Sequence, residues 1–348
     1  MAGSPILPFS AFASHEDRAA EYILCDTSAG SIYSILKDEW GIEDPAQVAR
    51  IIAKPEDSGL PGRMLSGILD PDKMDYLMRD AWACGVPYGG MDTQRLIESL
   101  VLDVGGDSNR RSRLGITEKG IAPLESLVFA KYMMFRHIYW HHAARIAVAM
   151  FTRFVQDALD AGAIDPSSFY ALSDDALIEL LASQAAQVIS GDLALRLKNR
   201  DLYKRGFTLY PEHPAGDEEF ALSQDEMERV KELYRHPEQR REKEIAICRL
   251  LNDIEGLDLS GFEVLLDIPR LTSVFDVDDF RDLRVLVTPQ TGGEPRFVPF
   301  NSFGFTLLTA DFAQEFERYS RRLQVICRPD IRDVVRRRWR EIKAVVVE

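Results

Sequence analysis

The chain has 348 residues, of which 46% are hydrophobic and 28% are charged, and its formal net charge is −14. The hydrophobic fraction is large enough for one large domain or a domain with an added lobe, and it excludes an intrinsically disordered chain. The acidic balance argues against a general nucleic-acid-binding protein, so an anionic ligand needs a local basic pocket.

The cysteines and the apolar runs indicate the compartment. Four cysteines are scattered without a C-x-x-C pair: Cys25, Cys84, Cys248 and Cys327. This spacing disfavours a thiolate zinc site or a disulfide framework and predicts a reducing, cytoplasmic location. We find no signal-peptide pattern in residues 1–12 and no apolar run long enough to cross a bilayer, so we expect no membrane partner.

Hydrophobic periodicity predicts a mostly helical chain. A helix begins near His15 and runs past Leu36, and the next covers Asp44 to Lys54. Asp70 is a good N-cap with Pro71 in the first helical position, and Gly85 to Gly90 ends the helix that they begin. Three longer helices are predicted further along, at Pro123 to about Ala161, Asp174 to Leu197 and Ser223 to Leu251.

Strand-like segments occur in two places. Ile97–Val104 and Arg113–Ile116 predict a small β-hairpin across Gly105-Gly106-Asp107. The tail alternates strand-like and helical segments: Glu263–Ile268, Leu283–Val287, Phe312–Arg321, Leu323–Cys327 and Asp330–Val345. We therefore predict a helical core over residues 1–215 and, over residues 216–348, a helical extension with an α/β lobe that begins near residue 255.

One face of the helix after Asp70 carries a first group of candidate site residues. Asp72, Tyr76 and Asp80 lie at i, i+4 and i+8, with Lys73 beside them. A divalent metal that activates water needs carboxylate or imidazole ligands, and this face offers Asp72. The same spacing also fits an ordinary amphipathic surface helix with a solvated acidic side.

The helix after Pro123 carries a second group. His137, His141 and Arg145 lie at i, i+4 and i+8, next to Arg136, and such a stripe could hold phosphate oxygens. The two histidines could also bind zinc, although the H-E-x-x-H pattern is absent. A half-buried helix whose histidines have local partners is the alternative.

Two further features each allow two interpretations. His15, beside Glu16, is either a general acid or base near neutral pH or one member of a pair at the start of a helix. The basic run from Arg336 to Arg340 is either a nucleotide or nucleic-acid contact or a helix face paired with the acidic remainder of the chain.

Several of these segments resemble a known family. The run Asp70–Asp80 followed by Gly85–Gly89 resembles the D-x-D-K-x-D-Y-x-x-R-D…G-V-P-Y-G signature of bacterial HD-domain phosphohydrolases akin to the deoxynucleoside triphosphate triphosphohydrolases. Three more stretches resemble that family's motifs: Tyr139–His142 with Arg145, Asn199–Arg205, and Leu265–Pro269. The resemblance implies a mostly α fold, an HD-domain helical bundle with the small hairpin and the C-terminal α/β lobe.

The resemblance also implies roles for particular residues. Asp72 would be the last of four ligands to a divalent metal (Mn, Mg, Fe or Zn), and His15 would lie near the scissile phosphate. Lys73, Arg136 and His141 would face the triphosphate, and Tyr76 and Asp80 would contact the sugar. The family cleaves deoxynucleoside triphosphates to deoxynucleoside and triphosphate. Its members assemble as homo-oligomers, dimers or tetramers, often with nucleotide activator sites between subunits.

The chain departs from the family at its start. Of the family's G-H-x-P-F-S-H segment only Pro8-Phe9-Ser10 is present, followed by Ala11, and the His and His-Asp ligands upstream have no counterpart. One of four expected metal ligands remains, and a single carboxylate does not hold a divalent ion tightly. We consider three explanations: a shortened enzyme, a catalytically inactive nucleotide-binding or regulatory relative, or a partner chain that supplies the missing HD part.

Overall fold

The computed structural model describes residues 14–26, 30–104, 112–211, 218–268, 280, 283–289, 292–304, 306, 308 and 322–348. Helices dominate these residues. The described helices are α1 (His15–Leu24), α2 (Ile32–Ser34), α3 (Pro45–Ala53), α4 (Gly59–Ser66), α5 (Pro71–Ala83), α6 (Thr93–Glu98), α7 (Ile121–Met134), α8 (His142–Asp160), α9 (Asp174–Ser183), α10 (Gly191–Lys198), α11 (Gln224–Arg235), α12 (Pro237–Glu255), α13 (Arg332–Arg337) and α14 (Trp339–Val347).

The described strands form two small sheets. They are β1 (Leu100–Asp103), β2 (Arg113–Thr117), β3 (Lys204–Leu209), β4 (Val264–Asp267), β5 (Arg284–Val287), β6 (Arg296–Pro299) and β7 (Leu323–Cys327). One sheet has the order β1-β2-β5-β6 and the other has the order β3-β7-β4. Helices with two small sheets confirm the predicted mostly α fold class with a hairpin and an α/β part near the C-terminus.

The predicted helix starts are confirmed where a polar side chain caps the backbone. Asp44 accepts a hydrogen bond from the backbone N–H of Ala46 at 3.0 Å and thereby begins α3. Ser223 and Glu226 form a reciprocal capping box at the start of α11. These local interactions require only neighbouring residues, so the sequence was sufficient to predict them.

The predicted long helices are wrong in their length, because each is interrupted. The segment from His15 past Leu36 ends as α1 at Leu24 and continues as α2 and a π-helical segment, Ile35–Glu39. The helix predicted from Ser223 to Leu251 breaks at Pro237, which lacks the N–H that a continuous helix needs.

The helix predicted from Asp174 to Leu197 is broken by close backbone packing. A 3₁₀ segment, Ala185–Gln187, separates α9 from α10. A Cβ on Gly191 would lie 1.9 Å from the carbonyl oxygen of Ala185, so only glycine allows the chain to turn there.

The predicted hairpin is confirmed with a shorter first strand. Antiparallel β1 and β2 pair Leu100 with Ile116, whereas Ile97 belongs to α6. Strand β5 pairs with β2 in parallel, and β6 pairs with β5 antiparallel. The predicted strand Leu283–Val287 therefore extends the hairpin sheet and does not join the other tail strands.

The second sheet unites distant parts of the chain. Strand β7 lies between β3 and β4 and is antiparallel to both. Val264 and Leu266 pack into one hydrophobic cluster with residues of α11, α12, α13 and α14, while Leu265 and Ile326 pack into another with residues of α8 and α10. Burial on both faces explains why β4 is apolar along most of its length.

The described residues divide into two compact units that are interleaved in sequence. One, the α5 unit, lies within Ala13–Ile138 and Val274–Gln314, and the other, the α8 unit, lies within Tyr139–Ser273 and Glu315–Glu348. The division predicted at residue 215 stays a prediction. The predicted features at 8–10, 105–107 and 312–321 lie outside the described residues.

Candidate functional site

The start of α5 organises the candidate site in the α5 unit. Asp70 caps the helix by accepting a hydrogen bond from the backbone N–H of Asp72 at 2.9 Å, and Pro71 occupies the first helical position. Met74 and Leu77 are buried under the helix, whereas Met78 is exposed. The opposite face carries Asp72, Lys73, Tyr76 and Asp80, as the spacing predicted.

Lys73 is held at the beginning of this helix by two acceptors. Its Nζ donates to Asp70 Oδ2 at 2.9 Å and to the carbonyl oxygen of Gly67 at 3.0 Å. The side chain is 19% exposed, so it is largely but not completely buried. A positive charge beside a helix N-terminus favours an anionic group at this position.

Tyr76 lies among carboxylates one turn further along. Burial, followed by the negative charges of Asp72, Asp70 and Asp80, raises the pKa of its hydroxyl to about 12. The hydroxyl therefore remains protonated at neutral pH and can donate a hydrogen bond. Tyr76 and Asp80 thus offer a donor and an acceptor on the same helix face.

The G-V-P-Y-G part of the signature has a packing role in the structure. It forms a 3₁₀ turn, Pro87–Gly89, against α5 and α7. A Cβ on Gly89 would lie 2.4 Å from both the Ala81 Cβ and the Leu77 carbonyl oxygen, so this glycine allows the turn to contact the helix backbone. The turn also brings the ring of Tyr88 to 5.2 Å from the ring of His137.

Arg136 follows α7 in a π-helical segment, Phe135–Tyr139. Its guanidinium hydrogen-bonds the hydroxyl of Tyr132 and lies over the Tyr132 ring, 5.8 Å from the centroid. The side chain is exposed, so Arg136 can contact a bound anion without losing a buried partner.

His15 lies at the first position of α1, with its Nε2 3.1 Å from Glu16 Oε1. The imidazole is 93% exposed. This geometry matches the predicted pairing at the start of a helix. The assigned catalytic role of His15 stays a prediction.

The predicted stripe of His137, His141 and Arg145 is wrong, because the helix after Pro123 does not run through it. His141 has extended backbone angles and is the N-cap of α8, with its Nδ1 3.4 Å from the backbone nitrogen of Ala143. The break removes the i, i+4 register on which the stripe and its zinc alternative depended. His141 belongs to the α8 unit, whereas the other six predicted site residues belong to the α5 unit.

Arg145 has a partner that the sequence did not predict. Its guanidinium forms a forked ion pair with the buried carboxylate of Asp267 and donates to the Ile268 carbonyl oxygen at 3.2 Å. Gln324 Nε2 donates to the same carboxylate at 3.1 Å. Two segments with family resemblance, around His141 and around Asp267, therefore meet in the α8 unit.

A basic group also forms around the start of α8. The pKa of His142 is lowered by burial and then by the positive charges of His141, Arg205 and Lys204. In the sequence, these residues belong to two stretches that resemble different family motifs. Lys204 and Arg205 lie on strand β3, which was not predicted because Lys-Arg-Gly is an unusual strand start.

The residues described here do not by themselves fit a metal ion. No group of three or more His, Cys, Asp or Glu side chains is placed to hold one in the described part of the chain. Asp72 is exposed on its helix, and a single carboxylate in water binds a divalent ion weakly. We therefore derive no reaction step through a metal.

The C-terminal basic run is paired with acceptors of the α8 unit. Arg338 Nε lies 2.6 Å from Glu255, Arg340 Nη2 lies 2.8 and 2.9 Å from the two oxygens of Glu219, and Arg336 donates to the Gly206 carbonyl oxygen. This pairing favours the interpretation that the run balances the acidic remainder of the chain. Among the described helices, none has the length and apolar character to span a membrane.

A solved structure resembles this fold over most of the chain. A phosphohydrolase (BT4208) from Bacteroides thetaiotaomicron matches with a TM-score of 0.51 and 18% sequence identity, and the match covers 85% of this chain and 70% of that chain. At this identity the likeness shows a shared fold, and it supports the predicted fold class.

Curated relatives match over part of their length. The uncharacterized protein MJ1154 from Methanocaldococcus jannaschii is 32% identical over 160 residues, which are 46% of this chain and 34% of that protein. The uncharacterized protein YwfO from Bacillus subtilis is 28% identical over 211 residues, which are 55% of this chain and 46% of that protein. The chain thus spans less than half the length of either relative.

A family model also matches the chain. The model described as HD associated region matches residues 91–278, which begin just after the α5 signature and include His141, Arg145 and Asp267. The match covers more than half of the 348 residues. The protein therefore belongs to the family of the HD associated region.

Proposed function

We propose that this chain is the nucleotide-binding part of an HD-family phosphohydrolase that converts a deoxynucleoside triphosphate to a deoxynucleoside and triphosphate. The observation that carries the proposal is the start of α5, where Lys73, Tyr76 and two carboxylates share one face. Membership of an HD-associated family and a fold shared with the Bacteroides thetaiotaomicron phosphohydrolase support the reaction class. The choice of deoxynucleotide rests on the resemblance of Asp70–Gly89 to the family signature.

Lys73 is the proposed triphosphate contact. Its ammonium is fixed by Asp70 and by the Gly67 carbonyl oxygen, so little side-chain freedom is lost when a phosphate binds. The partial positive charge at the N-terminus of α5 acts in the same direction. Arg136, in the same unit, is a proposed additional triphosphate contact, and the role that the resemblance assigns to His141 stays a prediction.

Tyr76 and Asp80 are the proposed sugar contacts. A hydroxyl with a pKa of about 12 stays protonated and donates to a sugar oxygen, while a carboxylate accepts from a sugar hydroxyl. A bound nucleotide then spans α5 from its first turn, at Lys73, toward its third turn, at Asp80. Asp72 lies in the first turn, next to Lys73, and the family resemblance makes it a metal ligand.

A second function is favoured by what surrounds Asp72 and His15. The described residues contain no metal-binding group, and His15 is open to solvent. A catalytically inactive nucleotide-binding or regulatory subunit of the same fold needs neither feature. This alternative predicts nucleotide binding without turnover by this chain.

Binding and turnover of deoxynucleoside triphosphates test the proposal together. We would measure binding by calorimetry and products by chromatography, with Mn²⁺ or Mg²⁺, for the wild-type chain, Asp72→Asn and Lys73→Gln. Asp75→Asn is the matched control, because Asp75 lies on the same helix but is exposed and pairs with Arg79. Loss of one charged hydrogen bond predicts binding weaker by about tenfold or more in Lys73→Gln.

The outcomes separate the two functions. Deoxynucleoside plus triphosphate, lost in Asp72→Asn and kept in Asp75→Asn, supports the enzyme. Binding that depends on Lys73 without any product supports the regulatory alternative. Equal nucleotide affinity in the wild-type chain and Lys73→Gln would eliminate the proposed site on α5.

A further inference from the structure

A small cavity of about 50 Å³ lies inside the α8 unit, between α8, α12 and β4. The polar side chains that line it are those of Arg145, Thr152, Arg153 and Gln156 on α8, Arg240 and Glu244 on α12, and Asp267 on β4. None of the residues assigned to the nucleotide site on α5 lines it. The cavity therefore needs an explanation of its own.

The two carboxylates at the cavity are already saturated by the fold. Asp267 accepts from Arg145 Nε at 3.2 Å and from Gln324 Nε2 at 3.1 Å, and its other oxygen accepts from Arg145 Nη2. Glu244 accepts from the backbone N–H of Leu266 at 2.9 Å and from Arg153. Neither carboxylate has an oxygen left without a donor for a bound cation.

The donors at the cavity are not saturated. Arg240, Thr152 and Gln156 make no side-chain hydrogen bond or ion pair with any described residue, although Gln156 is 91% buried (9% exposed). Arg145 uses its Nε and Nη2 but makes no such bond through Nη1. Arg145 pairs with Asp267, and Arg153 pairs with both Glu244 and Asp157, so Arg240 is the lining guanidinium whose positive charge has no ion-pair partner among the described residues.

We propose that this cavity binds a tetrahedral oxyanion, either free phosphate or the terminal phosphoryl group of a nucleotide. A phosphate group offers several acceptor oxygens and negative charge, which complement the spare donors and the positive charge of Arg240. One water needs about 10–15 Å³ of such space, so 50 Å³ admits a group with several oxygens but not a nucleoside. Guanidinium forks on α8 and α12 match phosphate geometry.

Calorimetric titration of the full chain with inorganic phosphate tests this site. We would compare the wild-type chain with Arg240→Gln and with Arg249→Gln, which removes the same charge from an exposed position of α12 outside the cavity. We expect saturable binding in the wild-type chain and Arg249→Gln, and a Kd at least about tenfold weaker in Arg240→Gln. Gln156→Leu removes a neutral donor at similar volume and is expected to weaken binding several-fold.

Two more ligands identify the source of the oxyanion. If Arg240→Gln weakens the binding of a deoxynucleoside triphosphate, the cavity takes the phosphoryl group of a nucleotide. If Arg240→Gln weakens the binding of inorganic phosphate but not of the triphosphate, the cavity takes the free anion. The unphosphorylated deoxynucleoside must show no dependence on Arg240. The inference is overturned if phosphate does not bind saturably to the wild-type chain, or if it binds Arg240→Gln as tightly as Arg249→Gln. Neither result depends on Lys73, so failure here is distinct from failure of the proposed function.

Discussion

Gly89 is the residue at which the structure makes the sharpest stability prediction. A methyl group there would lie 2.4 Å from the Leu77 carbonyl oxygen and from the Ala81 side chain, so α5 and the 3₁₀ turn would have to separate. We expect Gly89→Ala to lower the free energy of unfolding by about 1–3 kcal/mol. Chemical denaturation measures the change.

Gly90→Ala is the control for that substitution. A Cβ on Gly90 has no atom within 4 Å, and its φ is −70°, which any residue adopts. We expect Gly90→Ala to be as stable as the wild-type chain or slightly more stable, because alanine restricts the unfolded state. Equal destabilisation by both substitutions would contradict the packing role of Gly89.

Tyr76 gives a prediction about alkaline pH. Burial and three nearby carboxylates raise the pKa of its hydroxyl from 10.0 to about 12. Because the folded chain holds this proton more tightly than the unfolded chain does, the stability from Tyr76 is present below pH 10.0 and is lost as the pH rises toward about 12. Phenolate absorbance is titrated in the wild-type chain and in Tyr76→Phe, and the difference between the two curves should have its midpoint near pH 12. A midpoint near pH 10.0 would refute the raised pKa of Tyr76.

At the level of elements, the ion pair of Arg145 and Asp267 joins α8 to β4. The Asp267 side chain is 4% exposed and the Arg145 side chain is 18% exposed, so removing one partner leaves the other charged and poorly solvated. We expect Asp267→Ala to destabilise the chain by about 3–5 kcal/mol in chemical denaturation.

An exposed ion pair in the same unit provides the comparison. Lys198 and Glu179 lie 2.6 Å apart, with side chains 42% and 62% exposed. Glu179→Ala should change the free energy of unfolding by about 0–1 kcal/mol. If Asp267→Ala and Glu179→Ala lower the free energy of unfolding by similar amounts, the buried pair does not stabilise the contact between α8 and β4 more than an exposed pair would.

The elements also show where sequence periodicity stops being informative. Asp70 and Pro71 predicted the start of α5 because a cap and the first helical residue act within one turn. The π segment after α7 and the extended backbone at His141 left no comparable signal, since the residues around them have ordinary helix propensities. That is why the stripe of His137, His141 and Arg145 was predicted wrongly.

For the whole molecule, the charge distribution predicts weak nucleic-acid binding. The net charge is −14, and several arginines of the C-terminal run already pair with Glu219 and Glu255. We expect fluorescence anisotropy with labelled duplex DNA to show weak binding at physiological salt, with little change in Arg340→Gln. Tight binding that is lost in Arg340→Gln and falls steeply with salt would contradict this expectation.

Assembly also belongs to this scale. The family resemblance predicts a homo-oligomer, a dimer or tetramer, or a partner chain that supplies an HD part, and sedimentation velocity of the purified chain distinguishes these states. The matching regions of the two curated relatives cover 34% and 46% of those proteins, so the activity of a longer protein is a proposal for this chain.

The sequence by itself determined the mostly α class, the β-hairpin, the start of α5 and the shared face of Asp72, Tyr76 and Asp80. Each of these depends on residues within a few positions of one another, through capping, alternation or helical spacing. Only the tertiary structure decided that β5 joins the hairpin, that β3, β4 and β7 form one sheet, and that Asp267 pairs with Arg145. These contacts join residues far apart in the chain, and they are selected by burial and by the need to pair buried charges, which no local pattern records.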